Sequence, residues 1–283
     1  MNPRKKHLRG LAIFLVLIFF AFPTAFGKTG LRILLTNDDG YDSPGLAALV
    51  SRLSSLGTVT VAASSRNRSG TSHGITTNAP IGVEKSEKDG VTWYVIDALP
   101  ATCLRLALEA LLPEKPDMVI SGLNAGDNTG VITFYSATVA CAREAAFVGV
   151  PAISAHLQKG EDMDYGAAAD FVADLVGELQ HKGFKPRVFL NINFPALPKE
   201  RLKGVMLTRQ DTRGSLEFYE KRVGPEGAVS YLPSYKHLEA GTEKTDVWAL
   251  ANGYISITPF QIDQTDYPEL KRLKSLPITK RKN

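Results

Sequence analysis

The sequence predicts an α/β fold: a mainly parallel sheet with helices on both faces, followed by a C-terminal elaboration of hairpins or extended arms. Three observations predict it. Short apolar strand candidates alternate with stretches of three- and four-residue apolar spacing, the pattern of βαβ units whose strands are covered on both sides. Polar, glycine-containing clusters follow several of these strands. Beyond Pro195 the helical rhythm stops, and Leu207 to Asp246 is rich in Gly, Pro, Tyr and charge.

The first strand is Leu31 to Thr36, ending in Asn37-Asp38-Asp39-Gly40. Pro44 opens a helix to about Leu56, with Leu46, Leu49, Val50 and Leu53 on one side. Val59 to Ala63 is the second strand, and a polar loop runs from Ser64 to Gly74. Trp93 to Ile96 is a strand, and Pro100 to Leu112 a helix with Pro in its first turn, where a missing amide costs little. Asp117 to Ser121 is a strand entering the turn-rich Gly122 to Gly130. A small-residue helix follows from Ser136 to about Val148, then a strand from Pro151 to Ala155. Tyr165 to His181 is a long amphipathic helix, Val188 to Ile192 a strand, and Gly253 to Pro259 a strand that returns after the irregular region.

The first 27 residues read as a secretory leader and not as part of this fold. Arg4, Lys5, Lys6 and Arg9 precede the twelve apolar residues Leu11 to Phe22, and Ala25 and Gly27 are small residues at a cleavage site. The apolar run is shorter than the roughly 18 residues of a spanning helix. Removing 27 residues from 283 leaves 256, and the loss of four leader cations takes the formal charge from +4 to zero. The expected location is therefore outside the cytoplasm, with no stable membrane insertion and no nucleic-acid surface. What basic character remains lies in 271–283, read as a solvated tail. The domain division expected is a leader over 1–27, a catalytic unit over 28–195, and an extended oligomerisation region over 196–270 that includes the strand returning at 253–259. Cys103 and Cys141 fall in helical, apolar surroundings, which suits two buried free thiols better than a bridge.

Ligands of parallel α/β sheets sit outside the carboxyl ends of the strands. Three polar clusters lie there. Asp38 and Asp39 are adjacent carboxylates in a strand-to-helix turn, tolerated best when a hard cation such as Mg²⁺ or Mn²⁺ neutralises them; the plainer alternative is a turn whose Asp39 or Asp42 caps the next helix. Arg66 to Gly74 holds two guanidinium groups, three hydroxyls including Ser69, and two glycines, a mixture able to receive an anion or to remain an ordinary solvated loop. Ser121 to Asn128 offers Asn carbonyls and a Gly126 turn, without the spacing of a dinucleotide fingerprint or a Walker loop. Just beyond, Ser136 and Thr138 stand at a helix start, a seat for phosphate or a simple cap.

The joint order of these clusters resembles the survival protein SurE family of metal-dependent 5′/3′-nucleotidases. The segments that carry the resemblance are LRILLTNDDGYDSPGL, RNRSGTSHGIT, PATCLRLAL, PDMVISGLNAGDNTG, YSATVACAREAAFVGVPAIS, LNINFP and TDVWALANGYISITP, and the resemblance spans about Leu31 to Asp266. The resemblance implies a Rossmann-like N-terminal domain and C-terminal arms that build a homodimer or homotetramer. It implies one divalent cation held by Asp38, Asp39, Ser69 and Asn124, and a phosphate met by Asn128, Ser136 and Thr138. It implies nucleoside monophosphates as substrates, and sometimes short polyphosphates. Asp38 or Asp39 would orient the attacking water, and His73 would be either the acid for the leaving oxygen or a loop histidine bonded for structure. Tyr41, Phe134 or Tyr135 would stack on the base. His156, His181 and His237 lack ligand spacing and read as structural or solvated.

Three features depart from the family's habit: Ala137 where Gly is common, Ala63-Ser64-Ser65 where Pro and Asp are usual, and the leader itself, since members are generally cytoplasmic. Rival functions are a broad-specificity phosphomonoesterase, an exported nucleotide- or phosphate-binding protein without turnover, and a non-catalytic protein on the same fold.

Overall fold

The computed structural model describes residues 30–185, 187–213, 216–236 and 241–277. The leader expected over 1–27 lies outside these residues, as do His237 and the tail cations Lys280, Arg281 and Lys282. No helix among the described residues is long and apolar enough to cross a membrane.

Strands β1 (Leu31–Thr36), β2 (Gly57–Ser64), β3 (Val83–Lys88), β4 (Val91–Ile96), β5 (Met118–Ala125), β6 (Ala152–Leu157), β7 (Val188–Phe194), β8 (Val205–Leu207) and β11 (Ile255–Gln261) form one nine-stranded sheet. Its order is β3-β4-β2-β1-β5-β6-β7-β11-β8. The six central strands, β4 to β7 in that order, are parallel; β3 and β11 pair antiparallel with β4 and β7. Strands β9 (Leu216–Val223) and β10 (Val229–Lys236) make a separate antiparallel hairpin, on which Val223, Val229 and Tyr231 are exposed.

Alternation along β1 shows why the centre is apolar on both faces. Ile33 and Leu35 join one core layer with Leu46, Leu49 and Leu53 of α1 (Pro44–Leu53) and Val172 and Val176 of α4 (Tyr165–Lys182). Leu34 faces the other layer, with Cys103 and Leu104 of α2 (Pro100–Leu106) and Val139 and Cys141 of α3 (Ala137–Phe147). Both thiols are free and buried, and burial raises the pKa of each, so both stay protonated at neutral pH.

Chain order reverses at β1: the chain passes to β2 on one side and later returns to β5 on the other. The carboxyl ends of β1 and β5 therefore frame a crevice at the switch point of the sheet. Helix α1 closes its floor, because a β-carbon on Gly45 would lie 2.1 Å from the Leu123 carbonyl oxygen; only glycine permits that approach.

The structure adds elements and moves others. Strand β5 continues past Ser121 to Ala125, with a register irregularity between Ser121 and Asn124. The helix at Pro100 passes into a wider π-type turn over Ala107–Leu111. Strand β3 is exposed at all six positions and has no apolar face to read; it exists by pairing with β4 across Asp89-Gly90, both at positive φ. A short helix α5 (Asp246–Ala251) follows its Thr245 cap. The basic tail is not wholly irregular: α6 (Tyr267–Leu273) is capped by Asp266, holds Lys271 and Arg272, and carries an Arg272–Glu269 ion pair at 2.5 Å.

Candidate active site

A cavity of about 580 Å³ opens at the switch point. Asp38, Ser69, Asn124, Asn128 and Ser136 all line it, drawn from the segments that follow β1 and β2 and from the stretch between the end of β5 and the start of α3. Asp39 and Thr138 stand directly behind that lining, bonded to it.

Asp38 follows β1 and is buried to 2% exposure. Its Oδ1 accepts a short hydrogen bond from the Thr138 hydroxyl, and its backbone oxygen accepts from Arg68 N at 2.7 Å. No cationic side chain pairs with it among the described residues. Burial, reinforced by the charge of Asp39 and opposed by the Thr138 bond, pushes its pKa up to about 6. Asp39 Oδ2 accepts from Ala125 N at 3.0 Å, which ties the end of β1 to the end of β5. Neither carboxylate caps α1; the Ser43 hydroxyl does so by accepting from Leu46 N.

Asn124 donates its amide to the Gly126 carbonyl at 2.6 Å, which leaves its Oδ1 toward the Thr138 hydroxyl at 3.2 Å and toward the carboxylate pair. Gly126, at φ +130°, makes that turn possible. Ser69 is exposed on the open side, with its amide held by Asn67 Oδ1 at 2.9 Å. The site thus presents two carboxylates, an amide oxygen and a hydroxyl. This all-oxygen set suits a hard divalent cation, and a buried carboxylate without a cationic partner supplies the charge such an ion would neutralise. No group of three or more His, Cys, Asp or Glu placed to hold a metal ion occurs among the described residues, so Asn124 and Ser69 would have to complete any shell.

Ser136 caps α3, accepting from Val139 N at 3.1 Å, and the first-turn amides of that helix lack intrahelical acceptors. Ala137 is the first helical residue and is absent from the positive-φ positions, so its replacement of glycine brings no strain. Asn128 is fixed from every side. Its amide nitrogen bonds His156 Nδ1 at 2.7 Å, its backbone N–H donates to Asn193 Oδ1 at 2.7 Å, and its carbonyl accepts from Asn191 Nδ2 at 2.9 Å. Burial pushes the His156 pKa down to about 3, and the neutral ring donates from Nε2 to Asn191 Oδ1 at 2.8 Å. The anion seat therefore rests on an uncharged buried network.

Two expectations change. His73 does not line the cavity: its Nε2 meets Glu144 Oε1 at 2.8 Å, its ring stacks on Phe147, and it clamps the Ser69 loop to α3. That geometry is the one expected of a loop histidine bonded for structure. Arg66 and Arg68 do not line the cavity either; Arg68 pairs with Asp97 at 2.9 Å. Of the three aromatic candidates only Tyr135, 61% exposed, lines the cavity.

Sequence reading missed the supports. Asn191 and Asn193 are polar residues two apart in an otherwise apolar, buried strand, a signal that could have marked them. It also missed the far wall, built by Asp211 and Arg213 from the irregular region and Val247 from α5, with Lys159 at the rim. Arg213 bonds both oxygens of Asp211, at 3.1 and 3.0 Å, and holds that carboxyl well below the usual range. The wall is pinned by buried Asp246, whose oxygens accept from Gly130 N and Asp211 N, each at 2.8 Å.

The family model of Survival protein SurE matches residues 33–217. The chain is 39% identical to the 5′-nucleotidase SurE of Symbiobacterium thermophilum, over 87% of this chain and 98% of that protein. It is 40% identical to the 5′-nucleotidase SurE of Aquifex aeolicus, over 86% of this chain and 97% of that protein. The crystal structure of the SurE protein from Aquifex aeolicus superposes with a TM-score of 0.76 at 36% identity, covering 86% of this chain and 98% of the other.

Proposed function

Because the chain belongs to the survival protein SurE family, we propose that it is a nucleotidase, hydrolysing nucleoside 5′- and 3′-monophosphates to nucleoside and phosphate with one divalent cation, Mg²⁺ or Mn²⁺. The observation that carries this reading is the meeting of Asp38, Ser69 and Asn124 with Asn128 and Ser136 in one cavity.

In this reading Asp38, Asp39, Ser69 and Asn124 hold the cation. When bound, the ion supplies Lewis acidity toward a phosphoryl oxygen and lowers the pKa of water. The chain's own groups do the rest. The Ser136 hydroxyl and the first-turn amides of α3 seat the phosphoryl oxygens, with Asn128 beside them. The Asp38–Asp39 pair orients water and receives its proton, and the short bond from Thr138 fixes the Asp38 carboxylate for that task. Tyr135 stacks on the base, while Lys159 and Arg213 face the rest of the nucleotide across the cavity.

The test uses chelator-stripped protein and follows phosphate release from AMP, 3′-AMP and p-nitrophenyl phosphate, with and without Mn²⁺ or Mg²⁺. Metal should restore release, fastest on a nucleotide. Equal or faster release from p-nitrophenyl phosphate would replace the reading by a broad phosphomonoesterase. No release with any metal from folded protein would replace it by nucleotide capture without turnover.

We propose further that residues 1–27 are an export leader, which would put this activity outside the cytoplasm. Protein recovered from extracytoplasmic fractions should begin at Lys28; recovery only inside the cell with Met1 or residues 2–10 intact would reject export.

A further inference from the structure

A second cavity, of about 630 Å³, lies on the other side of the turn Gly130–Phe134 that walls the first. Thr133 and Phe134 line it, whereas Ile132 and Tyr135 line the nucleotide cavity. We propose that this second cavity binds a phosphate-bearing anion through Arg143 and Arg209, at a site distinct from the catalytic one.

Arg143 projects from α3 into half-buried surroundings. Its guanidinium carbon is 5.9 Å from the Phe189 ring centre, and one Nη lies 3.4 Å from His73 Nδ1. It has no carboxylate partner among the described residues; the adjacent Glu144 is engaged by His73 at 2.8 Å and Arg105 at 3.7 Å. A guanidinium withdrawn from water without a counter-charge is costly, and burial lowers its pKa with no opposing influence. Arg209 lines the same cavity with its backbone fixed, its N–H donating to Lys244 O and its carbonyl accepting from Asp246 N, while its side chain is exposed and makes no ion pair among the described residues.

The rest of the lining suits an oxyanion. Gln261 and Gln264 bring amide donors, while the Gln210 amide already donates to the Gly130 carbonyl and the Thr133 hydroxyl. Asp263 is the one carboxylate among the lining residues, and its oxygens already accept from Thr265 N–H and the Tyr267 hydroxyl. Two guanidinium groups against one engaged carboxylate leave the cavity positive, and guanidinium donors match the paired oxygens of a phosphate. Phe260, stacked on Phe189, gives one wall a flat apolar surface. Free phosphate and the phosphate of a nucleotide share this chemistry.

Calorimetric titration of inorganic phosphate into the chelator-treated chain tests the site where no hydrolysis runs, so its result is independent of the nucleotidase reading. Arg209→Gln and Arg143→Gln should each weaken one phosphate-binding event about tenfold or abolish it, while Lys88→Gln, on exposed β3, leaves it unchanged. Arg209→Gln guards against loss of fold in Arg143→Gln, because its side chain supports no packing. The metal-loaded Arg209→Gln protein should keep its hydrolytic rate. Tighter binding of AMP than of phosphate, lost in the same variants, identifies a nucleotide as the ligand; equal affinities identify free phosphate. Phosphate affinity unchanged in both arginine variants overturns the proposal.

Discussion

Asp38→Asn should lose metal-dependent phosphate release by about a thousandfold, the scale of removing one group that stabilises developing charge, and should at the same time make the metal-free fold more stable. The two effects have one cause. The Asp38 carboxyl is buried beside Asp39, and in the folded chain it keeps its proton up to about pH 6, against 3.8 for the free group. Between those values the folded state binds more protons than the unfolded state, so metal-free stability falls as pH rises through the window. The penalty is absent below about pH 4, complete above about pH 6, and amounts to about 3 kcal/mol. Asparagine cannot ionise, yet it can still accept the Thr138 hydroxyl. Urea midpoints in chelator between pH 4 and 8 should therefore show the variant gaining on the parent as pH rises, with no further gain above pH 7. A pH-independent difference would remove the buried-charge account, and retained turnover would remove Asp38 from the cation shell.

Asp246→Ala should unfold the protein more readily by about 3–5 kcal/mol and damage the nucleotide cavity as well. Its carboxylate is fully buried and accepts from three backbone N–H groups, those of Gly130, Asp211 and Val247. Alanine leaves all three donors without an acceptor in a dry site, and each such loss is worth roughly 1–3 kcal/mol, less than additively. The same bonds hold the turn at Gly130 to the wall at Asp211, so KM for the nucleotide should rise more than kcat falls. Asp246→Asn keeps one accepting oxygen and should fall between. A urea-unfolding loss below about 1 kcal/mol would show that the carboxylate is not the pin described above.

The parallel core was legible because its strands are predominantly apolar and its helices periodic, and the two phases do not overlap along the chain. Asp38, Asn124 and Ser136 were legible because each follows a strand or opens a helix, where an α/β sheet concentrates its chemistry. The supports were less so. Asn128 depends on His156, Asn191 and Asn193, residues 28 to 65 positions away, and no local pattern announces that pairing. The wall at Asp211 and Arg213 comes from a stretch whose order rests on single side-chain bonds and not on a repeating apolar face. His73 lies off the cavity for a related reason. Its position four residues after Ser69 suggested proximity to the reacting atoms, but the loop turns at Ser72, which bonds the Phe134 and Tyr135 carbonyls and carries the ring away toward Glu144.

The switch point at β1 also sets the order in which the molecule can be assembled. Strand β1 pairs with β5 across about 85 positions of sequence, Leu34 opposite Val119, and the bond from Thr138 to Asp38 spans 100. Contacts of such separation are slow to form, because a long stretch of chain must be ordered before they reward it. A polypeptide emerging from the ribosome exposes both carboxylates while Thr138 is still unsynthesised, and until β5 has emerged β1 can pair only with β2, its near neighbour in sequence. The pocket is consequently a late product of folding: chain termination between Gly40 and α3 yields a fragment with the acidic pair but neither the hydroxyl that orders it nor the helix start that would seat a phosphate.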